Sequence, residues 1–343
     1  AFADLSDVTV ATSDPATNTN PSTGVGTLWL NKTSGNLWCC TNATTNSNQW
    51  TNLGAGSSNI GMDPTGGTET TASGYKYHTF TSSGTLTAPV SKSGVDILIV
   101  AGGGGGGGRY NSGGGGAGGM LEYTSQTING SHTVTVGAGG AGGAHATDGT
   151  DGGNSSVSGL SLTTAVGGGG GGGYTGQSGG DGYGNAGGSS GGASGYSGTD
   201  REGVEEGAPA SGRGDYGGKG GTYAAGGGGG KTTAADSGSN TQGGDGGAGK
   251  AWLNGTSYAG GGGGADYNAS GAQGVGGTGG GGAGGSHGNG NVNGAGTLEA
   301  TDGSTNTGGG GGGASGYGAA TDTDAQAIGG NGGSGIVIFR YAT

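Results

Sequence analysis

The sequence is poor in the side chains from which most globular domains are built. Charged residues make up 9% of its 343 residues and hydrophobic residues 28%, with only five prolines and two cysteines. An ordinary globular domain is roughly 45–50% apolar and about 25% charged, so this chain cannot form one large hydrophobic core. It also lacks a run of 18 apolar residues, and we therefore expect no membrane insertion.

Basic residues are scarce as well, since 10 Lys and Arg against 22 Asp and Glu give a net charge of −12. This negative charge argues against a nucleic-acid partner. The two cysteines, Cys39 and Cys40, are adjacent, and adjacent strand residues point to opposite faces of a sheet. We expect no disulfide between them, and the four separated histidines form no metal-ligand spacing with them.

Glycine is what the sequence has in abundance, with 105 residues. Collagen is excluded because proline is scarce and the glycines occur in blocks, not at every third position. Only 11 of the 105 glycines precede residue 101, so the composition changes sharply near Val100. We predict a small N-terminal β module over residues 1–56, a Gly/Ser/Thr-rich linker over 57–74 and a glycine-rich domain over 75–343.

The N-terminal module shows a hairpin pattern. Short apolar stretches at Thr27–Leu30 and Asn36–Cys39 flank a turn at Thr33–Gly35, which predicts two paired strands. Three tryptophans supply most of its apolar area: Trp29, Trp38 and Trp50. A core of this size is marginal alone, so the module is predicted to serve attachment or oligomerisation.

Strand patterns alternate with glycine blocks from residue 75 onward. Tyr75–Phe80 and Gly84–Thr87 are typical of strands around a turn, and Val95–Val100 is short, β-branched and apolar. Further strands are predicted at His132–Val136, Ser155–Val166 and Ile336–Tyr341.

Pure glycine runs such as Gly102–Gly108 are typical of flexible or disordered tracts. Order is favoured here because strands bracket the runs and non-glycine residues often recur every third position. Three residues per turn is the period of a polyproline-II-type helix, whose N–H and C=O groups must find partners outside it. Helices without side chains can pack side by side and hydrogen-bond to one another. The predicted fold class is therefore mostly β and irregular, with strands scaffolding a packed sandwich of polyglycine-II helices and outer helices that turn every third residue to solvent.

Three stretches, Val95–Gly102, Thr133–Gly140 and Gly332–Tyr341, resemble the glycine-rich domain of bacteriophage tail-fibre and adhesin proteins, over about residues 75–343. The stretch from residues 26–31 through 48–50 resembles short β modules of phage fibre proteins. The resemblance implies a polyglycine-II sandwich in the virion, no cofactor, and distal loops that contact a bacterial surface receptor, either a saccharide or an outer-membrane protein. Residues 1–56 would bind other virion proteins, and a homotrimer is one assembly that the resemblance allows.

Adhesion without turnover is thus the expected function. The alternatives are a structural head-vertex or capsid fibre or decoration protein and an extracellular bacterial matrix protein. Ala225–Thr232 loosely matches a phosphate-binding loop but lacks the flanking strand and helix that such a loop needs. Arg213–Asp215 spells an adhesion tripeptide that arises easily by chance, and the acidic stretch Asp200–Glu206 is flanked by glycine. We predict no enzyme and no catalytic, cofactor-binding or metal site.

The parity of the glycine runs, meaning whether a run leads away from a strand or back to one, predicts where binding residues lie. If strands gather at one end, the base, a run that leaves a strand reaches the opposite end, the tip. This alternation places loops 109–112, 144–151, 174–178 and 314–328 at the tip and leaves 179–300 unassigned. Tyrosines with Ser, Asn and Gly are typical of binding loops, although tyrosine rings could instead shield the ends of the helices. The predicted receptor-binding residues, opposite Ile97 and Ile338, are Arg109, Tyr110, Asn111, His145, Tyr174 and Tyr317.

Overall fold

The computed structural model describes residues 8–21, 23–53, 63–144, 146–174, 182–195, 214–267, 271–286, 299–316 and 328–343. The chain divides into two compact units, Ala1–Asp63 and Pro64–Thr343, called here the N-terminal unit and the glycine unit. The predicted linker 57–74 is wrong in its second half, because strand β5, Thr68–Ala72, lies there and pairs with the glycine unit. Threonine is common both in strands and in polar linkers, which hid this strand.

The N-terminal unit is built on a four-stranded sheet in the order β1-β2-β3-β4. Its strands are β1 Val8–Ala11, β2 Leu28–Asn31, β3 Leu37–Asn42 and β4 Gln49–Asn52. The predicted hairpin is confirmed as β2 and β3. Asn31 Oδ1 accepts hydrogen bonds from the N–H groups of Thr33 and Ser34 at 2.9 and 3.2 Å, and Gly35 supplies the positive φ, 77°, that closes the turn.

One face of this sheet is aromatic. Trp29 lies opposite Trp38, and its ring contacts that of Trp50 edge-on at 5.9 Å between centroids. The segment between β1 and β2 reaches these rings, since Trp29 Nε1 donates to Ser13 O and Trp38 Nε1 to Asp14 Oδ1. Cys39 and Cys40 are free thiols, as the sequence predicts.

The glycine unit begins with a six-stranded sheet in the order β5-β6-β12-β7-β8-β9. Besides β5 it contains β6 Tyr75–Phe80, β7 Gly84–Val100, β8 Met120–Thr135, β9 Ser156–Val157 and β12 Ile336–Ala342. The predicted strands around a turn, β6 and the start of β7, exist but are not paired. The C-terminal strand β12 lies between them and pairs antiparallel with both. The sheet is therefore complete only when the last residues of the chain have joined it.

Apolar side chains cover both faces of this sheet. Ile97 and Ile99 of β7 belong to one buried cluster with Phe80 and Phe339. The alternate residues Leu98 and Val100 belong to a second cluster on the other face. The second cluster includes Trp252 and Tyr258 from the short hairpin of β10, Lys250–Ala251, and β11, Ser257–Tyr258. A central strand buried on both faces is expected to be continuously apolar, as β7 is near its end.

The predicted strand Ser155–Val166 is wrong over most of its length. Only Ser156 and Val157 form a strand, β9, and an isolated bridge joins Ser155 to Ala165. The intervening residues turn at Gly159, whose φ is 73°, and return Leu160 and Leu162 to the first apolar cluster. Leu160 and Leu162 therefore pack against the apolar cluster of the sheet from a turn, and they do not form a strand of it.

The glycine runs form a hydrogen-bonded lattice of extended helices. In the run Gly102–Gly108, successive N–H groups donate to three different segments and then repeat the order, at 2.9–3.0 Å. The acceptors for residues 103 to 108 are Gly333, Gly116, Thr150, Gly330, Gly113 and Thr147. Its carbonyl groups accept from three further segments with the same spacing, at Gly168, Gly140, Gly311, Gly171, Gly143 and Ala314. Six neighbours around a three-residue period are what packed polyglycine-II helices require.

The lattice explains why these positions are glycine. A Cβ at Gly105 would lie 2.0 Å from the carbonyl oxygen of Ala141, and one at Gly170 would lie 1.9 Å from that of Gly149. Several non-glycine residues lie in outer helices, where their side chains complete the lattice. The N–H groups of Gly167, Gly170 and Gly173 donate to the side chains of Asn154, Asp151 and Asp148. The third residue of the repeat thus supplies acceptors besides facing outward.

Candidate functional site

The end of the lattice away from the sheet is defined by the loop Arg109–Ser112. Gly102–Gly108 leaves β7 after Val100 and spans roughly 22 Å at 3.1 Å per residue. Residues 113–119 return antiparallel beside it, with Gly104 N–H bonded to Gly116 O and Gly107 N–H to Gly113 O, and lead into β8. We call this end the tip.

Other segments reach the tip at the same level. The N–H of Gly108 donates to Thr147 O, and Gly108 O accepts from Tyr174 N–H. The backbone of Ser112 bonds to Ala314 and Ala265, and Asn111 O accepts from Gly195 N–H. The described parts of the loops expected at the tip therefore meet there. The span 144–151 is shorter than predicted, because Thr150 O already accepts from Gly105 N–H midway along the lattice.

Tyr110 is the centre of an aromatic cluster at the tip. Its ring contacts Tyr174 edge-on at 4.9 Å between centroids and Tyr267 at 5.7 Å. The guanidinium of Arg109 lies 4.6 Å from the centroid of the same ring, and Arg109 Nη2 donates to Tyr110 Oη at 3.2 Å. Edge-on rings and a cation over a ring face are favourable arrangements, so the cluster holds these side chains in place.

The backbone beneath the cluster is held in an uncommon conformation. Arg109 and Tyr110 have φ values of 66° and 46°, in the left-handed region that residues with a Cβ seldom adopt. The Ser112 hydroxyl donates to Gly108 O at 2.6 Å and ties the two ends of the loop together. Two consecutive left-handed residues point to a constrained loop, a feature that is concentrated at functional sites.

Asn111 does not have the exposed position expected of a receptor contact. Its side chain is only 5% exposed, and its amide oxygen is buried without a hydrogen-bond partner among the described residues. Arg109 and Tyr110, which precede it at left-handed backbone positions, are half-buried. His145 and Tyr317, the other two predicted contacts, lie outside the described residues.

A family model described as glycine-rich domain matches residues 78–342. The chain belongs to the glycine-rich domain family. The match begins within β6 and ends with β12, so it contains the lattice, the tip and nearly all of the sheet. No curated protein matches the chain.

Three tyrosines of this glycine-rich domain reach the tip from the stretch that the parity argument left unassigned. Tyr267 contacts Tyr110, and its N–H donates to Tyr223 O at 2.9 Å. Tyr223 and Tyr183 are exposed, at 44% and 45%. Gly182 lies against Gly172 near the end of the run that leads to Tyr174. The available signal was that Tyr223 and Tyr267 stand next to glycine stretches.

The loose phosphate-loop match is part of the lattice of the glycine-rich domain. All five N–H groups of Gly226–Gly230 donate to backbone carbonyl groups of other segments, so none is left to bind phosphate. Burial lowers the pKa of the Lys231 ammonium; nearby Lys250 lowers it further, and Glu122 opposes the shift. Of the adhesion tripeptide, Gly214 is buried and Asp215 bonds through its backbone to Ser190 and Gly230, while Arg213 and the stretch Asp200–Glu206 lie outside the described residues.

The described histidines of the glycine-rich domain lie in strands of the sheet and make hydrogen bonds there. His78 is buried, with Nδ1 2.9 Å from Gly66 O and Nε2 3.0 Å from Tyr341 Oη. His132 Nδ1 lies 3.0 Å from Ser158 O. Within the described ranges, no three His, Cys, Asp or Glu side chains are grouped as metal ligands, and no helix is long and apolar enough to cross a membrane.

Proposed function

We propose that the chain is a phage virion fibre or adhesin protein that binds a receptor on the bacterial surface through the tip of its glycine unit. One observation carries the proposal. A lattice of backbone hydrogen bonds holds Arg109 and a cluster of tyrosines at the end opposite the sheet. The proposed chemistry is adhesion, with no reaction catalysed.

The side chains at the tip suit adhesion. Tyrosine and arginine are enriched among residues that dominate binding energy, because they offer large contact area together with hydrogen-bonding groups. Tyr183 and Tyr223 expose nearly half of their surface and are the described aromatic side chains most accessible to a receptor. Tyr110 and Tyr174 are half-buried and contact each other edge-on.

The lattice adds preorganisation. The runs that carry the tip loops are bonded to neighbours at each successive residue, so little conformational entropy remains to be lost when a receptor binds. Most lattice bonds join backbone groups, so loop side chains that make no lattice bond can vary without disturbing it. Asp148 and Ser112 are exceptions, because their side chains bond to the backbone of Gly173 and Gly108. Variable loops on a rigid scaffold are a general arrangement for recognition.

Binding of the labelled protein to a panel of bacterial strains tests the proposal. We expect attachment to some strains, and a loss of at least about tenfold when Tyr183 and Tyr223 are both replaced by alanine. Leu253→Ala is the matched control, because Leu253 is 52% exposed beside the base hairpin. Equal binding by the tip variant and the wild-type protein contradicts the tip assignment. Loss of binding after periodate treatment of the cells indicates a saccharide, and loss after protease treatment indicates an outer-membrane protein.

Location in the virion separates adhesion from the structural alternative. Immunogold labelling of virions that contain the protein is expected to mark the distal ends of tail fibres. Labelling of the capsid or its vertices would instead support a head fibre or decoration protein and would remove the basis for receptor binding.

A further inference from the structure

Three asparagines in the described part of the chain are followed directly by glycine: Asn129, Asn254 and Asn331. An Asn-Gly sequence is prone to spontaneous loss of the side-chain amide, because a glycine without Cβ lets its backbone nitrogen approach the preceding side chain. All three asparagines are exposed to solvent. Exposure therefore does not distinguish the three sites, and the hydrogen bonds that hold each side chain and each glycine nitrogen decide where the reaction can occur.

Asn331 is bonded to the lattice through both reacting groups. Its Oδ1 accepts from Gly142 N–H at 3.1 Å, and its Nδ2 donates to Asp302 Oδ1 at 3.3 Å. The nitrogen that would attack, that of Gly332, donates to Gly140 O at 2.8 Å. The side-chain amide and the nitrogen can therefore meet only after the lattice opens locally.

Asn254 is held by the turn between β10 and β11. Its Nδ2 donates to Tyr258 Oη at 2.8 Å, and its Oδ1 accepts from Thr256 N–H at 3.1 Å. The nitrogen of Gly255 donates to Trp252 O at 2.8 Å. This site is thus restrained in the same way as the lattice site, by bonds on both reacting groups.

Asn129 of β8 differs from both. Its neighbours Ile128 and Gly130 pair with β7 across an irregularity, whereas Asn129 itself has no paired residue. No hydrogen bond to its side chain is found among the described residues. Gly130 has a φ of 80°, and no atom lies within 4 Å of the position that its Cβ would occupy. No side-chain hydrogen bond has to break before the Asn129 amide carbon meets the glycine nitrogen.

We propose that Asn129 is a site of spontaneous covalent modification in the folded protein. The Gly130 nitrogen forms a bond to Cγ of Asn129 and loses its proton, and the side-chain nitrogen leaves as ammonia, which closes a five-membered succinimide ring. Water then opens the ring at either carbonyl and gives aspartate or isoaspartate. The product carries one more negative charge, and isoaspartate adds one main-chain carbon where the ladder is already irregular. This chemistry does not depend on what the tip binds.

Peptide mass spectrometry of the full chain, aged in mildly alkaline buffer, tests the proposal. We expect amide-to-acid conversion at Asn129 at least about tenfold faster than at Asn254 or Asn331, because the latter two must first break hydrogen bonds. In denaturant the three sites should convert at similar rates, since each asparagine is followed by glycine. Equal rates at the three sites of the folded protein, or conversion of Asn129 only in denaturant, overturns the proposal.

Two variants separate the proposed route from other losses of the amide. Gly130→Asn should slow conversion of Asn129 several-fold, because a side chain at residue 130 hinders the attacking nitrogen. An unchanged rate in this variant would indicate direct hydrolysis and overturn the route through the ring. Asp302→Ala removes the acceptor of Asn331 Nδ2 and should speed conversion of Asn331 while leaving that of Asn129 unchanged. An unchanged rate at Asn331 would show that hydrogen bonding does not protect the amide and would remove the basis of the proposal.

Discussion

In the N-terminal unit the strands carry large side chains on both faces, whereas in the glycine unit most of the packing is backbone on backbone. The first arrangement leaves Val10 and Leu53 exposed and only Cys40 fully buried among the apolar residues described. The second buries nearly every glycine of its inner runs and joins each to several neighbours by hydrogen bonds. A chain can thus build a compact fold with or without a side-chain core, provided that every backbone group finds a partner.

The two arrangements should differ in how they tolerate substitution. Side-chain packing accepts many apolar replacements of similar volume. The lattice accepts no Cβ at most inner positions, because carbonyl oxygens already lie about 2 Å from where the Cβ would be; Ala117, buried within the run 113–119, is an exception. Sequence variation in the glycine unit is therefore expected mainly in loops and at the outward third position of the outer helices.

The largest effect is expected from a side chain placed inside the lattice. Gly170→Val would put Cβ 1.9 Å from Gly149 O and break several interhelix hydrogen bonds. We expect a loss of about 5 kcal/mol or more in the free energy of unfolding, measured by thermal or denaturant unfolding of the glycine unit. Gly130→Asn is the control, since no atom lies within 4 Å of its Cβ position and Asn tolerates a positive φ. An unchanged melting temperature for Gly170→Val contradicts the packed lattice at this run.

A smaller effect, confined to the other unit, is expected from Trp29→Ala. The substitution removes the ring contact with Trp50 and the hydrogen bond to Ser13 O. Because the ring is only half-buried, we expect a loss of about 2 kcal/mol. Calorimetry should show a lower transition for the N-terminal unit and an unchanged one for the glycine unit. Val25→Ala, at a side chain that is 67% exposed, should shift neither transition, and a shift of both by Trp29→Ala would mean that the units unfold together.

Removing one of the side-chain acceptors on the outer helices is expected to weaken the lattice only locally. Asp151 Oδ1 accepts from Gly170 N–H and Asn185 Nδ2, each at 2.9 Å. Asp151→Ala should cost about 1 kcal/mol and speed amide hydrogen exchange at Gly170, while Gly171, which donates to Gly105 O, should keep its protection. Asp151→Asn retains an oxygen acceptor and should behave nearly as the wild-type protein does. Equal exchange at Gly170 in all three proteins would show that the side chain contributes nothing to the lattice.

The smallest effect concerns Lys231. Its pKa is lowered in the folded state by burial, so the unfolded chain binds the proton more tightly and stability increases as pH rises toward 10.5. Lys231→Met should therefore stabilise the protein at pH 7 by about 0.5 kcal/mol or less, since the group is partly exposed, and should reduce the gain at high pH. Lys219→Met, at an exposed lysine, is the control. Destabilisation by Lys231→Met at pH 7 would show that the ammonium makes a net favourable contact.

Much of the fold could be predicted from local patterns. β6 matches the predicted Tyr75–Phe80, and β12 extends the predicted Ile336–Tyr341 by one residue. The period of three predicted the extended helices, and the alternation of runs between strands brought Tyr110 and Tyr174 together. Asn111 could not be placed from the sequence, because a polar residue in a loop gives no sign that it will be buried. Tyr267 was missed because irregular spacing between residues 179 and 300 hides the direction of each run.

By itself the sequence determined that the protein has two differently built regions, since 94 of the 105 glycines follow Val100 and the tryptophans at 29, 38 and 50 precede it. It also determined that runs without a Cβ can pack at backbone contact. Only the tertiary structure decided which run bonds to which, because one glycine run is locally identical to another. The anchoring strands and the lengths of the connections select the neighbours. For the same reason β12 could be predicted as a strand, but its place between β6 and β7 is seen only in the assembled six-stranded sheet.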